Sequence, residues 1–191
     1  MRLIDTHTHL DFPDFDADRG ELLARSRALG VERLVVLAVY QANWQRLWDL
    51  VQADAGLFAA FGLHPVYLDD HKPTDLTELG DWLTRLHGHR QLCAIGEIGL
   101  DYFLAQLDRE RQQSLFEAQL QLAADFHLPA LLHVRRSQDR ILKHLRAVFG
   151  RSWQLVARAD LVEAAGDHVV DTVGRLPVIV VRGADGALRA F

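Results

Sequence analysis

Two histidines near the start of the chain, His7 and His9, have the spacing of a metal-binding pair. Side chains at positions i and i+2 of an extended chain point to the same side, so the pair shares a face with Asp5. Two imidazoles at the mouth of a strand can bind one divalent cation, although such a pair can also form local hydrogen bonds alone. Its position after the first of several strands favours the metal site.

Two further residues of ligand type lie where later strands are predicted to end. Glu97 stands between two glycines, and His133 closes an apolar run. Buried glutamates are rare unless they are paired or bind metal, and one carboxylate can bridge two cations. The alternatives are a surface glutamate in a glycine-rich turn and a histidine of the core. Ligand types on three separate elements favour a centre for zinc, manganese or magnesium.

Two other polar residues are candidate substrate contacts. His64 ends the third predicted strand, and we expect it to contact substrate or support a ligand rather than to bind metal. Arg135 could meet a phosphate beside His133, with a solvated surface arginine as the equally good alternative. Five more histidines fall on predicted helices or loops and are interpreted as surface residues, namely His71, His87, His89, His127 and His144.

Strand-like apolar segments alternate with helices as far as residue 149. The five predicted strands lie near residues 2–6, 33–38, 57–61, 92–98 and 129–134, and the helices near residues 19–29, 42–53, 76–87, 108–127 and 138–149. This order indicates βα units and a parallel sheet, with apolar strands covered on both faces. A partial (β/α) TIM-type barrel of about five units is favoured over an open doubly wound sheet. Polar groups end three strands, and no glycine-rich phosphate loop follows the first.

The pattern changes near Gly150. Short antiparallel strands are predicted from there on, at residues 153–156, 168–173, 177–182 and 188–191, with a helical turn at 161–165. Asp185-Gly186 is a typical two-residue hairpin turn between the last two strands. We therefore predict an α/β chain with two domains, in which residues 1–149 form the partial barrel and residues 150–191 form a β-rich tail.

Composition limits the functions that are open to the chain. The formal net charge of −5 argues against a broad nucleic-acid surface, so a phosphate substrate would be held by metal and a few arginines. No apolar run reaches the length of a membrane helix, and no membrane partner is expected. The lone cysteine, Cys93, and an N-terminus unlike a signal peptide predict a reducing cytoplasm. The oligomeric state is left open.

Four motifs, in their order and spacing, resemble the TatD family over about residues 1–149. They are Thr6-His7-Thr8-His9-Leu10-Asp11, Gly62-Leu63-His64-Pro65, Gly96-Glu97-Ile98-Gly99-Leu100-Asp101-Tyr102 and Leu132-His133-Val134-Arg135. The resemblance implies a TIM barrel of the amidohydrolase superfamily that hydrolyses phosphodiester bonds in DNA by a metal-activated water. It also implies two divalent metal ions, of which the first is held by His7 and His9 and the second by His133. Glu97 would bridge both as the catalytic residue, while His64 and Arg135 would place the substrate.

The family pattern contains two further ligands that this chain lacks, a histidine after the sixth strand and an aspartate after the eighth. His168, Asp171 and Asp185 stand in different sequence contexts. Two alternatives therefore stay open. One is another amidohydrolase-type enzyme acting on a small amide or ester, although no lysine lies at a predicted strand end. The other is a truncated or fusion fragment that binds metal without turnover.

The C-terminal segment has a second, weaker resemblance. Residues 153–161, 176–182 and 185–191 look like the opening of a Rieske iron–sulfur domain. The Cys-x-His ligand motifs of that domain would follow Phe191. Because Cys93 is the only cysteine, no iron–sulfur cluster is expected.

Overall fold

A computed structural model describes residues 2–149, 163–173 and 176–190 of the chain, which form an α/β fold. Its strands are β1 (Leu3–Thr8), β2 (Val31–Leu37), β3 (Leu57–Phe61), β4 (Leu92–Asp101), β5 (Ala130–Arg135), β6 (His168–Val173), β7 (Leu176–Arg182) and β8 (Leu188–Ala190). Its helices are α1 (Arg19–Ala28), α2 (Trp44–Gln52), α3 (Asp75–Leu86), α4 (Arg109–Asp125) and α5 (Gln138–Phe149). The chain divides into two compact units, residues 1–141 and 142–191.

The first unit contains a five-stranded parallel sheet in which the strands pair in chain order, β1-β2-β3-β4-β5. A helix follows each of these strands, as expected for consecutive βα units. This arrangement confirms the predicted partial (β/α) barrel. Because the carboxyl ends of parallel strands share one edge of a sheet, polar residues at those ends are brought close together.

A side-chain cap begins one helix of the first unit, and apolar stripes attach two others to the sheet. Asp108 caps α4 by accepting hydrogen bonds from the backbone N–H groups of Glu110 and Arg111, at 2.9 and 3.0 Å. Apolar residues at helical spacing are buried on α2 and α3, namely Trp44, Leu47, Val51, Leu79, Leu83 and Leu86. The core lies between these stripes and the three middle strands, which contribute Val36, Leu37, Ala59, Phe61, Ile95 and Ile98.

The sheet is buried at its centre and exposed at its ends, which corrects the expectation that all strands are covered on both faces. Residues of β3 and β4 are almost all buried, whereas Ile4 on β1 is 59% exposed and Val134 on β5 is 38% exposed. Among the described residues β1 pairs only with β2, and β5 only with β4. An end strand has one neighbour, so it loses less surface on folding.

Two strands extend further than the sequence predicts. β1 continues through Thr8, so His7 lies within the strand, and β4 continues to Asp101, so Glu97 lies in its middle rather than at its end. Pairing of β4 with β3 ends at Ile95, and β4 runs on because it stays paired with β5 until Asp101 meets Arg135. Among the described residues, no helix is both long and apolar enough to cross a membrane.

The second unit contains an antiparallel sheet of β6, β7 and β8 in that order. The predicted hairpin joins β7 to β8, where Gly186 has φ +75° and Gly183 donates its N–H to the Ala187 carbonyl at 2.8 Å. Residues 164–167 form a hydrogen-bonded turn, while the predicted strand at 153–156 lies outside the described residues. The predicted domain boundary at residue 149 stays a prediction.

Candidate metal centre

The centre of the candidate site is the carboxylate of Glu97, whose side chain is only 5% exposed. Its two oxygens divide four imidazoles into two pairs. Oε2 lies 3.1 Å from Nε2 of His7 and 3.3 Å from Nε2 of His9. Oε1 lies 3.1 Å from Nδ1 of His133 and 3.5 Å from Nε2 of His64. One buried carboxylate therefore joins a histidine pair from β1 and its following loop to a second pair, in which His133 lies on β5 and His64 follows β3.

The segment that continues β2 positions three of these residues through its backbone carbonyl groups. The carbonyl of Leu37 lies 2.9 Å from Nδ1 of His9, and that of Ala38 accepts the N–H of Glu97 at 3.0 Å. The next carbonyl, at residue 39, accepts the N–H of His64 at 2.8 Å. Because β2 is paired on both sides and Leu37 is fully buried, these contacts attach the centre to the buried part of the sheet.

Asp101 is a site residue that the sequence analysis quoted in a motif but did not assign. Its side chain is fully buried, and Oδ2 lies 3.0 Å from Nε2 of His133. The backbone N–H groups of Phe103 and Leu104 donate to its Oδ1 at 2.9 and 3.1 Å. An imidazole that donates its Nε2–H to a carboxylate leaves the Nδ1 lone pair free for a cation. A Gly-x-Asp spacing alone could not have indicated this contact.

His64 lies closer to the centre than the sequence predicts. Its ring is buried, Nδ1 accepts the N–H of Val66 at 3.1 Å, and Nε2 points toward Glu97. This geometry adds His64 to the candidate ligands, whereas its expected role as a substrate contact stays a prediction. The short 3-10 turns over Pro65–Asp70 hold it there.

His71 corrects an expectation, because it is buried rather than on the surface. Its Nε2 lies 2.8 Å from the carbonyl oxygen of His64, and its own carbonyl accepts a hydrogen bond from Arg111 at 2.7 Å. The loop after His64 folds back on itself, so a residue seven positions later supports the backbone of the site. A non-repeating loop carries no periodic signal from which this burial could be predicted.

Arg135 lies at the exposed end of β5, and its side chain is 49% exposed. Its Nη1 is 3.9 Å from Oδ2 of Asp101, and its Cζ is 3.7 Å above the ring centroid of Phe103. The structure thus brings Arg135 next to the Asp101–His133 pair, with donors still open to solvent. Its expected contact with a phosphate stays a prediction.

The electrostatics of the centre favour an ionised carboxylate. Burial alone would raise the pKa of Glu97, but hydrogen bonds from His133, His64 and His9 hold that pKa far below its ordinary range. Burial dominates at His64 and lowers its pKa, whereas the hydrogen bond to Glu97 raises the pKa of His9. At His133 the two carboxylates outweigh burial and raise the pKa.

These residues fit a pair of divalent cations. Two groups of donors each lie within 4.8 Å of one another, one formed by His7, His9 and Glu97 and the other by His64, Glu97 and His133. Imidazole nitrogens together with a carboxylate are ligands that suit zinc and related transition metals. The carboxylate that belongs to both groups has one oxygen facing each histidine pair, which is the arrangement a bridging ligand needs.

Comparison with known proteins identifies the family of the chain. The sequence profile of the TatD related DNase family matches residues 4–157. The uncharacterized metal-dependent hydrolase YjjV of Escherichia coli K12 is 41% identical over 145 residues, which are 76% of this chain and 55% of that relative. A 3'-5' ssDNA/RNA exonuclease TatD of Pantoea sp. At-9b is 33% identical over 139 residues, 72% of this chain and 52% of the relative.

A solved structure agrees with the fold as well. The crystal structure of YjjV, a TatD homologue of Escherichia coli K12, superposes with a TM-score of 0.73 at 40% identity. The match covers 76% of this chain and 56% of that chain, so the chain spans about half the length of the relatives it matches. The family profile covers most of the chain, and YjjV is 41% identical to the chain over the aligned residues. The chain therefore belongs to the TatD related DNase family, whose named members include metal-dependent hydrolases and nucleases.

Proposed function

We propose that this chain is a metal-dependent phosphodiesterase that cleaves DNA, with two divalent cations bound side by side on Glu97. The observation that carries the proposal is the division of four imidazoles between the two oxygens of one buried carboxylate. Family membership supports a hydrolytic reaction, and the name of the Pantoea relative supports a single-stranded nucleic acid as substrate.

The two cation sites would be held by residues already described. His7, His9 and Glu97 would hold the first cation, and Glu97, His133 and His64 the second. Bound there, the cations would supply Lewis-acid stabilisation of the phosphate and a water of lowered pKa. Glu97 does not need to lose a proton to act as a ligand, because its pKa is already low.

The remaining residues would orient the centre and the substrate. Asp101 would accept the Nε2–H of His133, which presents Nδ1 to the second cation. Arg135 would bind a phosphate oxygen through the N–H groups that face solvent, since guanidinium donors match phosphate geometry. In its alternative role as a substrate contact, His64 would act from its present position beside Oε1 of Glu97.

The test combines cation binding with cleavage. The metal-free chain is titrated with Zn²⁺, Mn²⁺ and Mg²⁺ by calorimetry, and end-labelled single-stranded DNA is incubated with and without chelator. We expect two cations per chain and cleavage that chelator stops. Glu97→Ala should lose both sites, whereas Glu78→Ala, at an exposed glutamate of α3, should behave as the wild type.

Two outcomes would count against the proposal. Cleavage that survives chelator or Glu97→Ala would show that another centre does the chemistry. Cations bound without cleavage of any phosphodiester would favour a fragment without turnover, an alternative raised by the half-length match to the relatives. Hydrolysis of a simple ester but not of DNA would favour the amide or ester hydrolase.

Two further assignments stay proposals. A cytoplasmic location is supported by the single thiol of Cys93. A Rieske-like origin of residues 150–191 is supported by the antiparallel pairing of β6, β7 and β8, and we propose no iron–sulfur cluster for it.

A further inference from the structure

A cavity of about 410 Å³ opens beside the candidate metal centre. Its walls include the side chains of Tyr40 and Tyr67, whose ring centroids are 5.4 Å apart. The ring of Tyr67 is also 5.7 Å from the ring of His64, which faces Glu97. The volume falls within the roughly 300–1,000 Å³ of small-molecule sites. A group bound here would lie next to the groups that hold the reacting phosphate under the proposed function.

The lining of the cavity selects for a neutral ligand. It contains one cation, Lys72, and two carboxylates, Asp70 and Asp75. Asp75 is buried and accepts the backbone N–H of Lys72 at 2.9 Å, while Asp70 and Lys72 are exposed. With two negative charges against one positive charge, the interior disfavours a phosphate. Gln41 adds an amide that can both donate and accept hydrogen bonds.

The aromatic walls select for a flat ligand. Tyr40 and Tyr67 are both half-buried, both line the open volume, and their ring planes are inclined at 60°. Aromatic side chains stack on nucleobases without regard to base identity, because every base has a π-face. A base within a duplex is already stacked and paired, whereas an unpaired base can enter.

We propose that this cavity receives one unpaired nucleobase of a single-stranded substrate, next to the scissile phosphate. The inference rests on the proposed function for the position of that phosphate. One of the two tyrosine rings stacks on the base while the other, inclined at 60° to it, packs against the base edge. Asp70 and Gln41 contact the polar edge of the base. Lys72, at the exposed rim, meets the phosphate of the adjoining nucleotide.

The proposal is tested by removing one base at a time from the ligand. The full chain is titrated, with divalent cation present, against fluorescein-labelled phosphorothioate oligothymidylate of about six nucleotides, and binding is followed by anisotropy. A parallel set carries a single abasic nucleotide at each position in turn. We expect one abasic position to weaken binding about 5-fold or more, which corresponds to the loss of one base–aromatic stack.

Variants of the walls show where that base lies. Tyr67→Leu and Tyr40→Leu keep apolar bulk but remove a ring. Each variant should bind the intact oligonucleotide more weakly than the wild type does, and no more tightly than it binds the abasic one. Tyr67→Phe is the matched control, because it keeps the ring face, and it should retain the abasic effect. A double-stranded ligand should bind more weakly than the single strand.

Three results would overturn the cavity assignment: no binding of the oligonucleotide, equal affinity at every abasic position, or an unchanged abasic effect in both leucine variants. Calorimetry with the cation alone tests the metal centre by itself, so failure of the cavity assignment can be told from failure of the proposed function. Cations bound without an abasic effect would refute the cavity and leave the metal centre. An abasic effect that disappears in the leucine variants, in a chain that binds no cation, would support the cavity and refute the metal centre.

Discussion

The carboxylate of Glu97 is charged although only 5% of its side chain is exposed. Removing a charge from water is costly unless hydrogen bonds and opposite charges replace the lost solvent. Four imidazoles within 3.5 Å supply those contacts in this chain, and bound cations would supply more. Three of these histidines have a second hydrogen-bonding contact, such as the Leu37 carbonyl at His9, that orients the ring. At this scale the site depends on the neighbours of the ligands as much as on the ligands.

Asp101 provides a direct test of that dependence. Asp101→Asn should weaken binding of the second cation by about 10- to 100-fold, the range found for outer partners of metal-binding histidines. The amide can present N–H groups to Nε2 of His133, which shifts the ring proton to Nδ1 and blocks the lone pair that faces Glu97. Calorimetry measures the affinity, and long-range ¹H–¹⁵N spectra of the metal-free chain report the tautomer.

The control is Asp125→Asn, at an exposed aspartate of α4 whose Oδ1 accepts a hydrogen bond from the Gln121 side chain at 2.8 Å. It should leave both readouts unchanged. An Asp101→Asn chain with wild-type affinity and the wild-type tautomer would show that Asp101 does not position His133.

The pairing of β4 with β5 is the element that places Glu97 and His133 together. In the register of these strands Gly99 lies opposite His133, and Asp101 lies opposite Arg135. Gly99 has φ +146°, a conformation that side chains rarely adopt, and a Cβ there would collide with the carbonyl oxygen of His133. The glycine therefore permits the close approach that the site requires.

Gly99→Ala tests the element. It should lower the free energy of unfolding by about 1–3 kcal/mol, as overpacking of a close contact does. It should also weaken binding of the second cation, because the backbone of His133 must move away. Urea denaturation measures the first effect and calorimetry the second. The control is Gly20→Ala, on α1, where no atom lies within 4 Å of the added Cβ. It should change the free energy of unfolding and the cation affinity less than Gly99→Ala does. Wild-type stability and affinity in Gly99→Ala would contradict the proposed role of this pairing.

At the scale of the whole molecule, the site lies in the first compact unit, where the described part of the sheet ends at β1 and β5. The ligands come from both ends, since His7 lies on β1 and His133 on β5, and Glu97 connects them from β4. Curvature of the sheet is required for such contacts, because the two strands are separated by three others. Loss of the fold should therefore abolish the site as a unit.

Cys93 can report on the integrity of this unit. It is half-buried on β4 and its thiol donates to the carbonyl of Ala59 at 3.4 Å. Burial raises its pKa to about 11. Alkylation by iodoacetamide at pH 8 should thus be about 100-fold slower than that of an exposed thiol with a pKa near 9, because the thiolate is the nucleophile.

The same shift gives the pH dependence its sign. A folded pKa above the unfolded one means that the unfolded chain loses the proton first, so the stability contribution is present below about pH 9 and is lost as pH rises toward about 11. Urea should accelerate alkylation, and Cys93→Ser should abolish it. Equal alkylation rates in buffer and in urea would contradict the described burial.

Local patterns in the sequence determined the elements of this protein and the types of its ligands. Apolar runs and helical spacing depend on neighbouring residues alone, which is why the third strand was predicted with its observed bounds, Leu57–Phe61. The rule that parallel strands share a carboxyl edge predicted that His7, His9, Glu97 and His133 would meet, and the structure brings them together.

Only the tertiary structure decided how these residues contact one another. The entry of His64 into the centre, the burial of His71 and the contact of Asp101 with His133 depend on loop paths and on the register between strands. These features join residues 7 to 69 positions apart, and no local propensity encodes distances of a few ångströms over such separations. The two-and-two division of imidazoles around Glu97 is a result of that register, and it is the observation on which the proposed function rests.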